Sequence, residues 1–175
     1  MATFITPGCG AENVLIHDSN IARRSTLGVD LVKMLIEQGW IVFVFAGVHA
    51  DVFADVVNCN FVRKHMPIDA SDAQEVFDAV KVHGDRVAVV LSGLLAPGGN
   101  AVNRLLNASN IYVLSMSSVR AVRGDHRYSR VWTSGKGWTT HSEPKGFTMV
   151  HPEHGAPCAP SAHWMSWAGR LLKIW

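Results

Sequence analysis

The chain reads as a single three-layer α/β domain, a mostly parallel sheet of four or five strands with helices on both faces. Three observations predict it. The runs WIVFVFAG (40–47) and RVAVVLSG (86–93) are almost wholly apolar and rich in β-branched or aromatic residues, as strands covered on both faces are. Amphipathic stretches alternate with these runs, and that alternation is the signature of crossover connections between parallel strands. The 175 residues are 48% apolar and 17% charged, enough to build one substantial core and too apolar for disorder.

The elements follow in order. Residues 13–16 form a short first strand, and a polar loop runs from its tip to Ser25 and Thr26. Leu27, Leu31, Met34 and Leu35 recur at i, i+4, i+7 and i+8, which marks one face of a helix over 27–38. The hydroxyl of Thr26 or Ser25 suits its N-cap, and Gly39 suits its end. The strand 40–47 comes next, then a short helix over 48–57 and a weaker strand in NFVRKHM (60–66). Ala73, Val76, Phe77 and Val80 place a helix between Ser71 and Gly84. The strand 86–93, a short helix around Val102, Leu105 and Leu106, and the strand IYVLSMS (111–117) complete the alternation. Trp164, Trp167, Ala168, Leu171, Leu172 and Trp175 trace a closing helix face. Residues 118–163 break the pattern and read as an irregular, loop-rich region, long enough to imply a function.

Composition narrows the function. A formal charge of +2 does not by itself favour a nucleic-acid partner. Three scattered cysteines, Cys9, Cys59 and Cys158, make no disulfide framework and fit a reducing compartment. No apolar run approaches the roughly 18 residues of a membrane span, and MATFITPGCG lacks the pattern of a secretory leader. A cytoplasmic, membrane-free protein of unknown oligomeric state is therefore expected. A Walker A loop is absent. GCGAEN (8–13) has two of the dinucleotide glycines but precedes a strand, where the phosphate-binding mechanism requires it to follow one.

In an α/β sheet the ligand lies beyond the carboxyl ends of the strands. The sequence puts Ser19, Gly47, Ser92 and Ser115 there. VLIHDSN, a strand delivering Asp18 and Ser19 to its tip, resembles the first block of the SGNH, or GDSL-type, hydrolases, with His17 in place of the block's glycine. FAGVHADVFADVV looks like the second block, GGNA (98–101) the third, and VHP (150–152) the end of the last. The resemblance implies a flavodoxin-like fold and a serine hydrolase cleaving an ester or O-acyl substrate without a cofactor. Ser19 would be the nucleophile, His151 the base, and Gly47 and Asn100 donors to the oxyanion. His154 and His163 are substitute bases. The chain departs from the pattern at Ala101, where the third block carries aspartate. It departs again at Thr148, where the carboxylate orienting the histidine is expected. The plain alternative for Ser19 is a turn serine.

Two further constellations compete. His151, His154, Cys158 and His163 supply four potential zinc ligands, three imidazoles and a thiol, within thirteen residues, at spacings irregular for a zinc finger. They imply a zinc-stabilised interaction domain, or a polar loop with His163 capping the last helix. VRAVRGDHRYSRVW (119–132) interleaves Arg120, Arg123, Arg127 and Arg130 with aromatic residues. Such a run binds nucleic acid or a phosphorylated ligand in a catalytically inactive module, or makes ion pairs within the fold.

Overall fold

The computed structural model describes residues 11–47, 51–56, 58–63, 68–84, 86–93, 99–119, 123, 125–141 and 145. Seven strands lie in one sheet: β1 (Asn13–His17), β2 (Ile41–Ala46), β3 (Asn60–Arg63), β4 (Val87–Ser92), β5 (Ile111–Ser117), β6 (Arg130–Thr133) and β7 (Gly137–Thr140). Their order is β3-β2-β4-β5-β1-β6-β7. The first six are parallel, and β7 returns antiparallel to β6 through a tight turn. The α/β class stands as the sequence implies. The strand count is corrected from four or five to seven, because the supposedly irregular stretch after residue 118 contributes β6 and β7. The order also differs from the 2-1-3-4-5 of flavodoxin-like sheets: β1 lies between β5 and β6, three places from β2.

The helices are α1 (Ile21–Glu37), α2 (Asp51–Ala54), α3 (Ala70–His83) and α4 (Asn100–Asn107). α1 begins well before Leu27, and its cap is Asn20 rather than Thr26 or Ser25. The Asn20 backbone is extended, and its side-chain oxygen accepts from the Arg23 N–H at 3.0 Å. At the other end Gly39 takes φ +81°, and Gly39 N and Trp40 N donate back to Ile36 O and Leu35 O at 2.9 and 3.0 Å. That pair of bonds is a Schellman closure, and the left-handed residue inside it favours glycine. α3 is capped by Asp69. Asp69 accepts from Asp72 N while Asp72 accepts from Asp69 N, a reciprocal box.

Two apolar layers flank the sheet. One joins Leu27, Leu31, Met34 and Leu35 of α1 and Phe53 of α2 to Val14, Ile16, Val42, Val44, Leu114 and Met116. The other joins Ala73 and Val76 of α3 and Leu105 and Leu106 of α4 to Leu15, Phe45, Val89, Leu91 and Val113. Successive residues of one strand therefore serve opposite layers, as the two-residue period requires. Every side chain from Val87 to Leu91 is fully buried, and burying each of the larger ones contributes about 1.5–3 kcal/mol. This double coverage puts every parallel strand's carboxyl end along one edge. His17, Gly47, Ser92, Ser117 and Thr133 line that edge. Ser115, expected there, is instead fully buried inside β5 and accepts a hydrogen bond from the Tyr128 hydroxyl at 2.7 Å.

Candidate functional site

The tip of β1 is built by local hydrogen bonding. Asp18 is buried, and its Oδ1 accepts from Asn20 N at 2.8 Å, an Asx-turn that folds the chain around Ser19. Asn20 then caps α1. Two of the four polar residues at the tip thus have structural roles. Ser19, at the centre of the turn, is exposed, and none of the hydrogen bonds made among the described residues engages its hydroxyl.

Charge gathers at this tip. The first turn of α1 holds Arg23 and Arg24 and no acidic residue. Arg23 Nε lies 3.0 Å from Asp18 Oδ2, and Arg24 Nη1 donates to the Asp18 carbonyl oxygen. Cations at a helix N-terminus oppose the macrodipole, at about 0.3–1 kcal/mol each. Arg123, from the segment between β5 and β6, adds a third guanidinium close enough to His17 to disfavour its protonation. Among the described residues, Asp18 is the carboxylate that acts on His17 and holds Arg23.

His17 ends β1, opposite Ser117 of β5 and Thr133 of β6. It is half-buried, both ring nitrogens are shielded from solvent, and neither has a hydrogen-bond partner of good geometry among the described residues. Burial, then Arg123, holds the imidazole below its ordinary range, with Arg24 adding to the effect. The Ser118 backbone and Asp18 push the other way. An open groove of about 810 Å³ starts beside the α1 cap, between α1 and α2, lined by Ile21, Ser25, Val29 and Val52, with Lys33 and the carboxylates of Asp30 and Asp51 among its polar residues.

Of the expected oxyanion partners, Gly47 stands apart from Ser19. Gly47 is buried at the end of β2, three strand positions away, which is about 14 Å at the usual strand spacing. Its N–H is already donated to Ser92 O at 3.2 Å. Asn100 is the exposed first residue of α4. His151, His154, Cys158, His163 and Arg120 lie outside the described residues. Among the described residues no cluster of three or more histidine, cysteine or carboxylate side chains suits a metal ion.

The arginine run divides. Arg127 grips Asp125 through two nitrogens, with Nη2 2.7 Å from Oδ2, and its Nη1 donates to Asn103 Oδ1 of α4 at 2.7 Å. Arg130 is buried with its Nε 3.3 Å from Glu12 Oε2, and the Ser129 hydroxyl donates to the same carboxylate at 2.9 Å. These two arginines serve the fold. Of the described members of the run, Arg123 is the one that acts electrostatically on His17. Sequence reasoning passed over His17 as a site residue, and over Arg23 and Arg24 altogether. The available signal was a pair of arginines just after a polar strand end.

Comparison with protein families, with characterised proteins and with solved structures finds no match to this chain. Among the described residues no helix is long and apolar enough to cross a membrane.

Proposed function

We propose that this chain is a ligand-binding α/β domain whose site lies at the carboxyl edge beside β1 and takes an anionic, phosphate-bearing small molecule. One observation carries the reading: Arg23 and Arg24 gather at the tip of β1 around Asp18, and Arg123 stands close enough to act on His17 beside it. Positive charge left in excess at a helix N-terminus favours an oxyanion, since the backbone amides, the dipole and the guanidiniums all act in one direction. The groove between α1 and α2 suits the less polar remainder of the ligand. Titration calorimetry with inorganic pyrophosphate and with a nucleoside monophosphate tests this. Replacing both Arg24 and Arg123 by glutamine is expected to weaken binding by at least about tenfold. Unchanged affinity in that variant would overturn the reading.

A second reading is favoured by the exposed hydroxyl of Ser19 at the turn entering α1. In it the protein is a serine hydrolase cleaving an ester or O-acyl group, with Ser19 attacking the acyl carbon and His151 taking its proton. A fluorophosphonate probe separates the two. Labelling lost in Ser19→Ala supports the hydrolase, and labelling that survives this substitution excludes Ser19 as the nucleophile.

A further inference from the structure

The groove between α1 and α2 combines exposed apolar surface with acid. Ile21 and Val52 line it and are 42% and 44% exposed, two of the four large apolar side chains so exposed among the described residues. Its volume of about 810 Å³ is that of a small-molecule site. Asp30 of α1 and Asp51 of α2 bring a carboxylate from each wall, against the one cation of Lys33. Burial holds the Asp30 carboxyl above its ordinary range, and Lys33 offsets this only in part. Charge is thus divided along α1. Arg23 and Arg24 lie in its first turn, and Asp30 follows six residues after Arg24, about 9 Å further along the helix axis.

We propose that the ligand of this site is a phosphate ester carrying an amine at its other end, with the phosphate at the tip of β1, an apolar spacer in the groove and the amine against Asp30 and Asp51. The inference rests on the anion-site reading above and names its substrate class. A molecule that is anionic throughout would bring negative charge up to two carboxylates. An ammonium instead makes charge-assisted hydrogen bonds to them. Beside Asp30 it also favours the ionised carboxylate that burial disfavours. The spacer takes the exposed surface of Ile21, Val29 and Val52 out of water. The chain's net charge of +2 gives no general attraction for a cation, so a preference for the amine has to arise in the groove.

Titration calorimetry on the full chain compares aminohexyl phosphate with hexyl phosphate, which share a head group and a spacer and differ in the terminal amine. The amine-bearing ester is expected to bind at least about fivefold tighter. In the chain carrying both Asp30→Asn and Asp51→Asn, folded as judged by circular dichroism, the two esters are expected to bind within about twofold of one another. Hexyl phosphate should bind this variant no more weakly than it binds the parent. Equal affinities in the unsubstituted chain, or an amine preference that survives the double substitution, overturn the amine subsite and leave the anion site standing. Binding of neither ester overturns both.

Discussion

Asp18 Oδ2 lies 3.0 Å from Nε of Arg23, so a buried carboxylate at the tip of β1 holds one of the guanidiniums gathered there. Its side chain is 2% exposed and that of Arg23 is 37% exposed. The pair is thus half in water, and its Coulomb term is discounted to below about 1 kcal/mol. Asp18→Asn keeps an oxygen for the Asn20 N–H and removes the negative charge. We expect a stability loss of about 1 kcal/mol or less, together with sulfate affinity raised about three- to tenfold. Calorimetry and thermal melting read both. Affinity that falls instead would mean that the anionic ligand does not sit beside this carboxylate.

Arg127 provides the contrasting case. Its guanidinium is committed to Asp125 and to Asn103 of α4, where it ties the loop before β6 to a helix. Asp125 is held below the usual carboxylate range chiefly by this hydrogen bonding. Arg127→Gln is expected to cost about 1 kcal/mol of stability and to leave anion affinity unchanged. Arg123→Gln is expected to do the reverse. Equal losses of affinity in the two variants would restore the whole run as a binding surface.

A close crossing of α1 over β5 gives a test of packing. A Cβ built on Gly28 would stand 2.4 Å from Met116 Sδ and 3.3 Å from Phe53 Cζ. Met116 and Phe53 are fully buried, so the sulfur end yields only by moving within a filled core. Alanine gains about 1 kcal/mol of helix propensity over glycine, and this offsets part of the cost of moving the Met116 sulfur end aside. Valine adds two methyl groups to the same space and is expected to cost about 2–3 kcal/mol. Urea unfolding of Gly28→Ala and Gly28→Val checks the pair. A valine variant as stable as the parent would show that the contact is loose.

Local features of the fold were legible in the sequence, and features that depend on distant residues were not. The fully buried strands β2, β4 and β5 announce themselves as apolar runs. The start of α1 was misplaced by six residues because Ile21, Arg23 and Arg24 lie on or near its exposed side, so the apolar period first shows at Leu27. β6 and β7 were missed because four-residue strands among arginines and glycines carry little periodic signal. Strand order is wholly non-local, and the site depends on it. Only once β1 is seen between β5 and β6 does Gly47 separate from Ser19 and Arg123 come to His17. The ion pair of Glu12 with Arg130 likewise joins opposite ends of the described chain.

Lys145 yields the last prediction, with its sign set by burial. Its Nζ donates to Leu105 O and Leu106 O at 3.0 and 3.2 Å, closing the end of α4. Those carbonyls favour the ammonium, yet desolvation outweighs them and pulls the group down to about 7 from its ordinary 10.5. Between these two values the folded chain holds fewer protons than the unfolded one. Stability must therefore rise as pH climbs from about 7 toward 10.5 and be lost as pH falls through 7, with a limiting slope of about 1.4 kcal/mol per pH unit for one proton. Lys145→Met removes the titration and leaves the two carbonyls to other donors. Urea unfolding of both chains across this range isolates the lysine from every other titrating group. The difference in stability between parent and variant should shift in the parent's favour as pH rises. A difference that does not change with pH would place the Lys145 amine in water rather than under the end of α4.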